Sequence, residues 1–354
     1  MTTPDVVIVG GGLIGASIAW RLAQQGQRVA LLDQGEPGAE ASSAAAGILS
    51  PQAEADAATA FFDLTVASRR LYPEFARELL EATGVDVELR LDGVLAVATT
   101  ERELEDLNAR VLWQSRAGQR IERLTAPEVA SLESGIRGGL AGGVFFPDDG
   151  QVENVRLIRA VLLAATRAGV RIEGGTPVRR ILDRGGRVYG VETSTGVISA
   201  PQIVLAAGAW SGQSLGLRFE VPVVPARGEM VAVRSHRPPR YVLFSPGVYV
   251  VPRRDGRVLF GATLERAGFD KRVKAQSMAK LLAAGVELLP ALGEAGFDSA
   301  WAGLRPAAPD NLPLLGPTPL QGLTLATGHF RNGILLAPIT AKLISTLVAT
   351  GSAG

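Results

Sequence analysis

Glycines 10, 12 and 15 stand in the order G-x-G-x-x-G, and an acid, Asp33, follows roughly twenty residues further on. That combination is chemistry for phosphates. Gly10 permits a tight turn, Gly12 lets backbone amides approach a pyrophosphate, Gly15 lets a helix lie close on a strand, and Asp33 accepts hydrogen bonds from a ribose. A second set lies in the later part of the chain, where Tyr249 and Arg305 precede the run Gly328-His329-Phe330-Arg331-Asn332-Gly333. The planar fork of an arginine matches a carboxylate bidentately. Arg305 stands between Leu304 and Pro306, an apolar setting where an unpaired charge is costly; its partner is either a structural carboxylate or an anionic ligand. Tyr249 shares a strand face with Val251 and projects from a sheet. His329 reads as a capping or packing histidine whose backbone, rather than its imidazole, meets the ligand.

The elements that must position these residues are legible around them. Val6-Val7-Ile8-Val9 is an apolar run of strand length, and Leu13, Ile14, Ile18, Ala19, Leu22 and Ala23 recur at helical spacing up to Gly26. Val29 to Leu32 is a second buried strand ending in Asp33. Ala41 to Leu49 is nearly free of bulk, and side chains that small let a backbone lie against a flat ligand. Ile203 to Ala207 again delivers a glycine, Gly208, to what reads as a helix start at Gly208-Ala209-Trp210-Ser211. The strand Leu323 to Thr327 runs into the Gly328 motif and a final helix, with Pro338 read as tolerated in the first turn. A helix pointed at a ligand offers free amides and partial positive charge. A flavin needs that at N1 and the C2 carbonyl, where negative charge accumulates on reduction; a nicotinamide does not.

Elsewhere the pattern is structural. Phe61 to Leu80 is an amphipathic helix with Phe61, Leu64, Ala67, Leu71, Phe75 and Leu79 on the expected buried side. Short strands are expected at Val87 to Leu89 and Val94 to Val97, then helices from Glu101 to about Ala117 and after the cap Thr125. Asn154 to Gly169 is an amphipathic helix, Arg187 to Ser199 belongs to a meander, and Val221 to Ala262 is β-rich with a hairpin at Asp255-Gly256. A further helix covers about Ala275 to Leu289. The expected architecture is α/β: a doubly wound, Rossmann-like nucleotide-binding domain over 1–84, 147–219 and 303–354, interrupted by a β-rich substrate domain over 85–146 and 220–302.

Composition narrows the function. The 354 residues carry a net charge of +1, which gives no electrostatic reason to expect nucleic acid or an anionic membrane. There is no cysteine, so disulfides, thiolate metal sites, cysteine nucleophiles and a sulfur-linked flavin are excluded, and no metal site is expected. Arginines are plentiful, so a single one carries weight only through its surroundings. The N-terminal apolar run is the first strand rather than part of a signal peptide, and Ile334 to Ala349 reads as too short to span a bilayer. A cytoplasmic location is expected.

With these residues in view, the sequence resembles the glycine oxidases within the wider FAD-dependent D-amino-acid oxidase and sarcosine oxidase family. The motifs are Val9 to Gly15, Ser43 to Gly47, Ala207 to Ser211, Tyr249 to Arg253, Trp301 to Pro306 and Gly328 to Pro338. The resemblance implies non-covalent FAD held by Leu13, Ile14, Asp33, Gln34, Ser42, Ser43, Ala46, Gly47, Ile48, Val178, Gly208 and the run His329, Phe330, Arg331, Asn332, Gly333, Ile334, Leu335. It implies that Arg305 grips the substrate carboxylate, that Tyr249 hydrogen-bonds it, and that Arg331 sits beside substrate and flavin. The implied reaction moves hydride from the α-carbon of glycine, sarcosine or a small D-amino acid to flavin N5. The resulting imine gives glyoxylate or a 2-oxo acid and ammonia or an amine, or serves thiamine thiazole synthesis, and dioxygen yields hydrogen peroxide. A homotetramer is also implied. Alternatives are a dehydrogenase of the same fold that reduces a quinone, an NAD-dependent dehydrogenase argued from the first glycine motif alone, and a non-catalytic flavin-binding module. Ser50-Pro51-Gln52, near the expected substrate entrance, departs from the family pattern and leaves substrate size open.

Overall fold

A computed structural model describes residues 3–351. Five parallel strands and one antiparallel edge make a six-stranded sheet in the order Leu314–Pro317, Leu323–Thr327, Gln202–Leu205, Val6–Val9, Val29–Leu32, Arg171–Glu173. Both faces are covered, which is why Val6–Val9 and Val29–Leu32 read as unbroken apolar runs. Val6 and Ile8 share a core with Trp20, Phe75, Leu157 and Ile344 of four helices, Leu13–Gln24, Ala60–Thr83, Asn154–Arg167 and Gly333–Thr350. Val7 and Val9 point the other way, toward Ile181, Val188 and Val191 of the meander Val178–Arg184, Arg187–Thr193, Gly196–Ser199.

The second sheet has eight strands, ordered Gly296–Ala307, Val224–Arg234, Arg257–Gly261, Val248–Pro252, Val242–Ser245, Val94–Ala98, Gly142–Phe146, Glu122–Leu124. Leu281 and Leu288 of the helix Ala275–Leu288 pack with Val231, Val233, Val250 and Phe260 on one face. Met230, Ala232, Val251 and Leu259 on the other face pack with Ala46 and Ala53, so this sheet closes over the small-residue run that follows Asp33.

Several local expectations change. Val87 to Leu89 is not a strand: Asp86 accepts the Glu88 amide (2.8 Å) and Glu88 takes a φ of 54°, which turns the chain. The Ala60–Thr83 helix buries Phe62, Thr65, Ser68, Arg69, Tyr72, Phe75 and Leu79, whereas Phe61, Leu64, Ala67 and Leu71 are half-buried. Apolar periodicity missed that face because polar side chains on it turn inward to internal partners. Gly208–Trp210 is a single 3₁₀ turn with no helix after it; the Gly208 carbonyl accepts the Ser211 amide (3.1 Å) and the Thr327 hydroxyl (3.3 Å).

Pro338 lies in the second turn of Gly333–Thr350, where its missing N–H leaves the Ile334 carbonyl without a helical donor. The Tyr72 hydroxyl donates to that carbonyl, while Ser68 donates to the Leu335 carbonyl (2.6 Å) and accepts the Ile339 amide (3.4 Å). This helix is also long and apolar enough to cross a membrane, contrary to the sequence reading. Half of it is buried inside the structure, packed on Leu13–Gln24 and Ala60–Thr83.

Candidate active site

A cleft opens where the carboxyl ends of Val6–Val9, Gln202–Leu205 and Leu323–Thr327 meet the inner face of the eight-stranded sheet. That is the position an open α/β sheet offers a ligand. Gly10 lies at one end with a φ of 111°, and a β-carbon there would stand 2.3 Å from the Ala206 carbonyl oxygen. Gly12, Leu13, Ile14, Asp33 and Gln34 line the cleft beside it. Gly15 does not, and works from behind: a β-carbon there would meet the Gly10 carbonyl at 2.0 Å, so glycine is what lets the helix start against the strand. The Asp33 carboxylate accepts the amides of Gly11 (2.7 Å) and Gly35 (2.8 Å), fixing the turn with lone pairs to spare.

The wall from Ala44 to Ile48 is anchored from outside the cleft. Asn154 donates to the carbonyls of Ser42 (2.9 Å) and Ser43 (3.0 Å), Trp301 to that of Ala44 (2.9 Å) and Arg253 to that of Ala46 (2.8 Å). Ser42 lines the cleft and accepts the Leu13 amide (2.9 Å); Ser43 is not among the lining residues and donates to the Gly38 carbonyl (2.7 Å). Burial holds the Arg253 guanidinium down to about 10, and its hydrogen bonds go to carbonyl and amide oxygens alone. Val178 and Gly208 complete this stretch.

The run from His329 to Leu335 lines the cleft throughout. Phe330 takes a φ of 48°, held by its amide on the Pro306 carbonyl (2.9 Å). His329 is buried with Nε2 3.0 Å from the Thr340 hydroxyl, and burial drives its pKa down to about 3, so the ring is neutral. Among the described residues the amides of Ile334 and Leu335, at the N-terminus of the last helix, have no acceptor. An amide-rich glycine turn with an acid, a wall of small residues, and a helix N-terminus with open amides together fit the diphosphate, the flat ring system and the ring carbonyls of an FAD.

Tyr249, Arg305 and Arg331 gather at the sheet end of the cleft and also border a second cavity of about 230 Å³ beyond it. Arg305 donates to the Thr263 carbonyl (3.1 Å), and no carboxylate among the described residues stands within ion-pair distance of it. Of the two partners the sequence left open, the structural carboxylate is absent there. Burial raises the Tyr249 phenol, opposed by the positive charges of Arg305 and Arg331.

Glu54, which the sequence reading did not single out, also lines this end, 3.6 Å from Arg331. Burial raises its carboxyl, opposed by Arg331 and Arg305. It ends the single turn Pro51–Glu54, capped by Ser50 and fixed from behind by Asp149, which is fully buried. Asp149 accepts the Ser50 hydroxyl (2.5 Å) and the Gln52 amide (3.1 Å) and pairs with Arg69. The Ser-Pro opening of that turn was the available signal, since a cap followed by proline announces a helix start.

Known proteins share this fold and much of this sequence. The family model described as FAD dependent oxidoreductase matches residues 5–347. Glycine oxidase of Geobacillus kaustophilus is 40% identical over 351 residues, covering 97% of this chain and 92% of that one. The Bifunctional protein ThiO/ThiG of Trichormus variabilis is 38% identical over 351 residues, and the chain spans 53% of its length. The crystal structure of the Geobacillus kaustophilus glycine oxidase superposes with a TM-score of 0.95 at 38% identity, covering 99% of this chain and 95% of that one. From the glycine turn to the closing helix the match is continuous, and the chain belongs to the FAD-dependent oxidoreductase family.

Proposed function

We propose that the chain oxidises glycine and other small amino acids to the imine, which water converts to glyoxylate or a 2-oxo acid and ammonia or an amine. The observation that carries this is Arg305: a guanidinium on the cleft, beside Tyr249, with no carboxylate among the described residues within ion-pair distance of it. The full-length glycine oxidase relatives support the same reading. FAD, when bound, supplies the hydride acceptor and passes the electrons to dioxygen, giving hydrogen peroxide.

The residues then act by orientation. Arg305 holds the substrate carboxylate through its paired N–H donors, and the Tyr249 hydroxyl donates to the same group. Arg331 adds positive potential, tempered by Glu54. His329, neutral and bonded to Thr340, takes no part in proton transfer. The ThiO/ThiG relatives support a role for the imine in thiamine thiazole synthesis. The two-part division, a cytoplasmic location and a homotetramer belong to the same proposal, and light scattering of the purified protein tests the last.

The deciding experiment is the visible spectrum of the purified protein, recorded without oxygen before and after glycine and again after air is readmitted. Bleaching that reverses in air with peroxide formation supports the oxidase. Bleaching that persists until a quinone is added would replace it with a dehydrogenase, and a flavin that no small amino acid bleaches would overturn the substrate class.

A further inference from the structure

Between the strand Arg257–Gly261 and the helix Ala275–Leu288 the chain forms no helix or strand beyond one bridge, Arg227 to Glu265. This segment is nevertheless firmly rooted in the strand Val224–Arg234. Arg227, only 1% exposed, pairs with Glu265 and with Asp270 (3.1 Å) and donates to the Arg272 carbonyl (3.3 Å). Glu229, fully buried, accepts the Lys274 amide (2.5 Å) and the Thr263 hydroxyl (3.3 Å). Residues two apart on a strand share a face, so this pair holds both ends of the segment from one side.

Its tip reaches the opposite wall of the cleft. The Phe269 ring rests on Trp210 with centroids 5.4 Å apart, and Lys271 donates to both carboxylate oxygens of Glu40 (2.9 and 3.1 Å). Trp210 and Glu40 line the cleft from the nucleotide side, whereas Gly228 and Met230, on the strand that roots the segment, line it from the sheet side. The segment therefore ties one wall to the other. Its root runs through two buried side chains, Arg227 and Glu229, the partners Glu265 and Asp270 of the first being 33% and 29% exposed, while its tip is an exposed ion pair and a half-open ring contact, each weak. A strap so built opens from the tip.

We infer that Leu264–Lys274 is a latch on the FAD cleft, and that release of its tip from Trp210 and Glu40 sets the rate at which FAD leaves. This depends on the cofactor and not on which amino acid is oxidised.

The test uses the FAD-loaded protein, diluted so that released FAD is read by its fluorescence. Phe269→Ala and Lys271→Met alter exposed side chains; each should speed release about threefold and the double variant about tenfold, with the bound-flavin absorption unchanged. A double variant of unaltered melting temperature that releases FAD at the parent rate would overturn the latch. Should the double variant not fold, Lys271→Glu alone and combined with Glu40→Lys carries the test. Fast release in the first and restored slow release in the second support the latch, and equal rates in both overturn it.

Discussion

The guanidinium of Arg305 lies across Gly228: a β-carbon at that glycine would stand 2.1 Å from Nη1 and 2.4 Å from Nη2. Gly228 pairs with Gly303 in register, and Arg305 follows two residues on along the same strand. Tyr249 is accommodated in the same manner, its ring covering Gly261 at 2.4 Å from the position a β-carbon would take. Two glycines on the sheet thus set where the two polar side chains lie.

Gly228→Ala is accordingly expected to displace Arg305 and to lower kcat/KM for glycine as Arg305→Ala does. Losing a charge-assisted contact of about 1.5–3 kcal/mol corresponds to about 10- to 150-fold. Steady-state kinetics on both flavin-loaded variants check this: unchanged values for Arg305→Ala would place the carboxylate anchor elsewhere, and unchanged values for Gly228→Ala alone would show that the guanidinium does not depend on that glycine.

Tyr249→Phe keeps the ring over Gly261 and removes one hydrogen bond. A loss of about 0.5–1.5 kcal/mol, roughly 2- to 10-fold in kcat/KM, is expected. An effect exceeding that of Arg305→Ala would mean that the phenol does more than orient the substrate.

Asp149→Asn removes the counter-charge of Arg69 inside the protein. Burial already pushes the Asp149 carboxyl up to about 6 against the pull of Arg69, Ser50 and Gln52. Leaving Arg69 buried and unpaired is expected to cost about 3–5 kcal/mol, measured by urea unfolding. Because the turn it fixes carries Ser50 and Glu54 to the cleft, KM for glycine should shift in the same variant.

His329 makes acid stability a histidine property. Its folded pKa of about 3 lies below the ordinary value of roughly 6.5, so the unfolded chain takes up the proton first. Stability present above about pH 6.5 is lost as pH falls, by up to ~1.4 kcal/mol per unit until about pH 3. Unfolding free energies at about pH 7 and pH 5 should differ less in His329→Gln than in the parent. Equal pH slopes would show that the imidazole is not held neutral.

The nucleotide half was legible because each of its elements is local. A strand, three glycines, a helix and a terminal acid occupy consecutive residues, and the four inner strands of that sheet carry side chains buried by their neighbours. What escaped depends on residues far apart in sequence. Glu54 looks like any surface acid until Asp149 and Arg69 seat its turn, and Arg305 gains its meaning from Gly228 on another strand. The strand Gly296–Ala307 was visible only as the motif within it. Arg69, Arg227 and Arg253 are buried through partners that no spacing rule connects, so composition could not separate them from the exposed arginines.

The strand order of the six-stranded sheet has a consequence for how the chain is made. Val6–Val9 neighbours Gln202–Leu205, which neighbours Leu323–Thr327, and Leu13–Gln24 is covered by Gly333–Thr350. A ribosome that has delivered the first two hundred residues has therefore released an apolar helix whose cover is still untranslated. Closing loops of that length comes late and slowly, because chain entropy opposes it until the last contacts form. The nascent chain must expose that surface until residues 333–350 have emerged, so it is a natural client for chaperones that shield apolar segments.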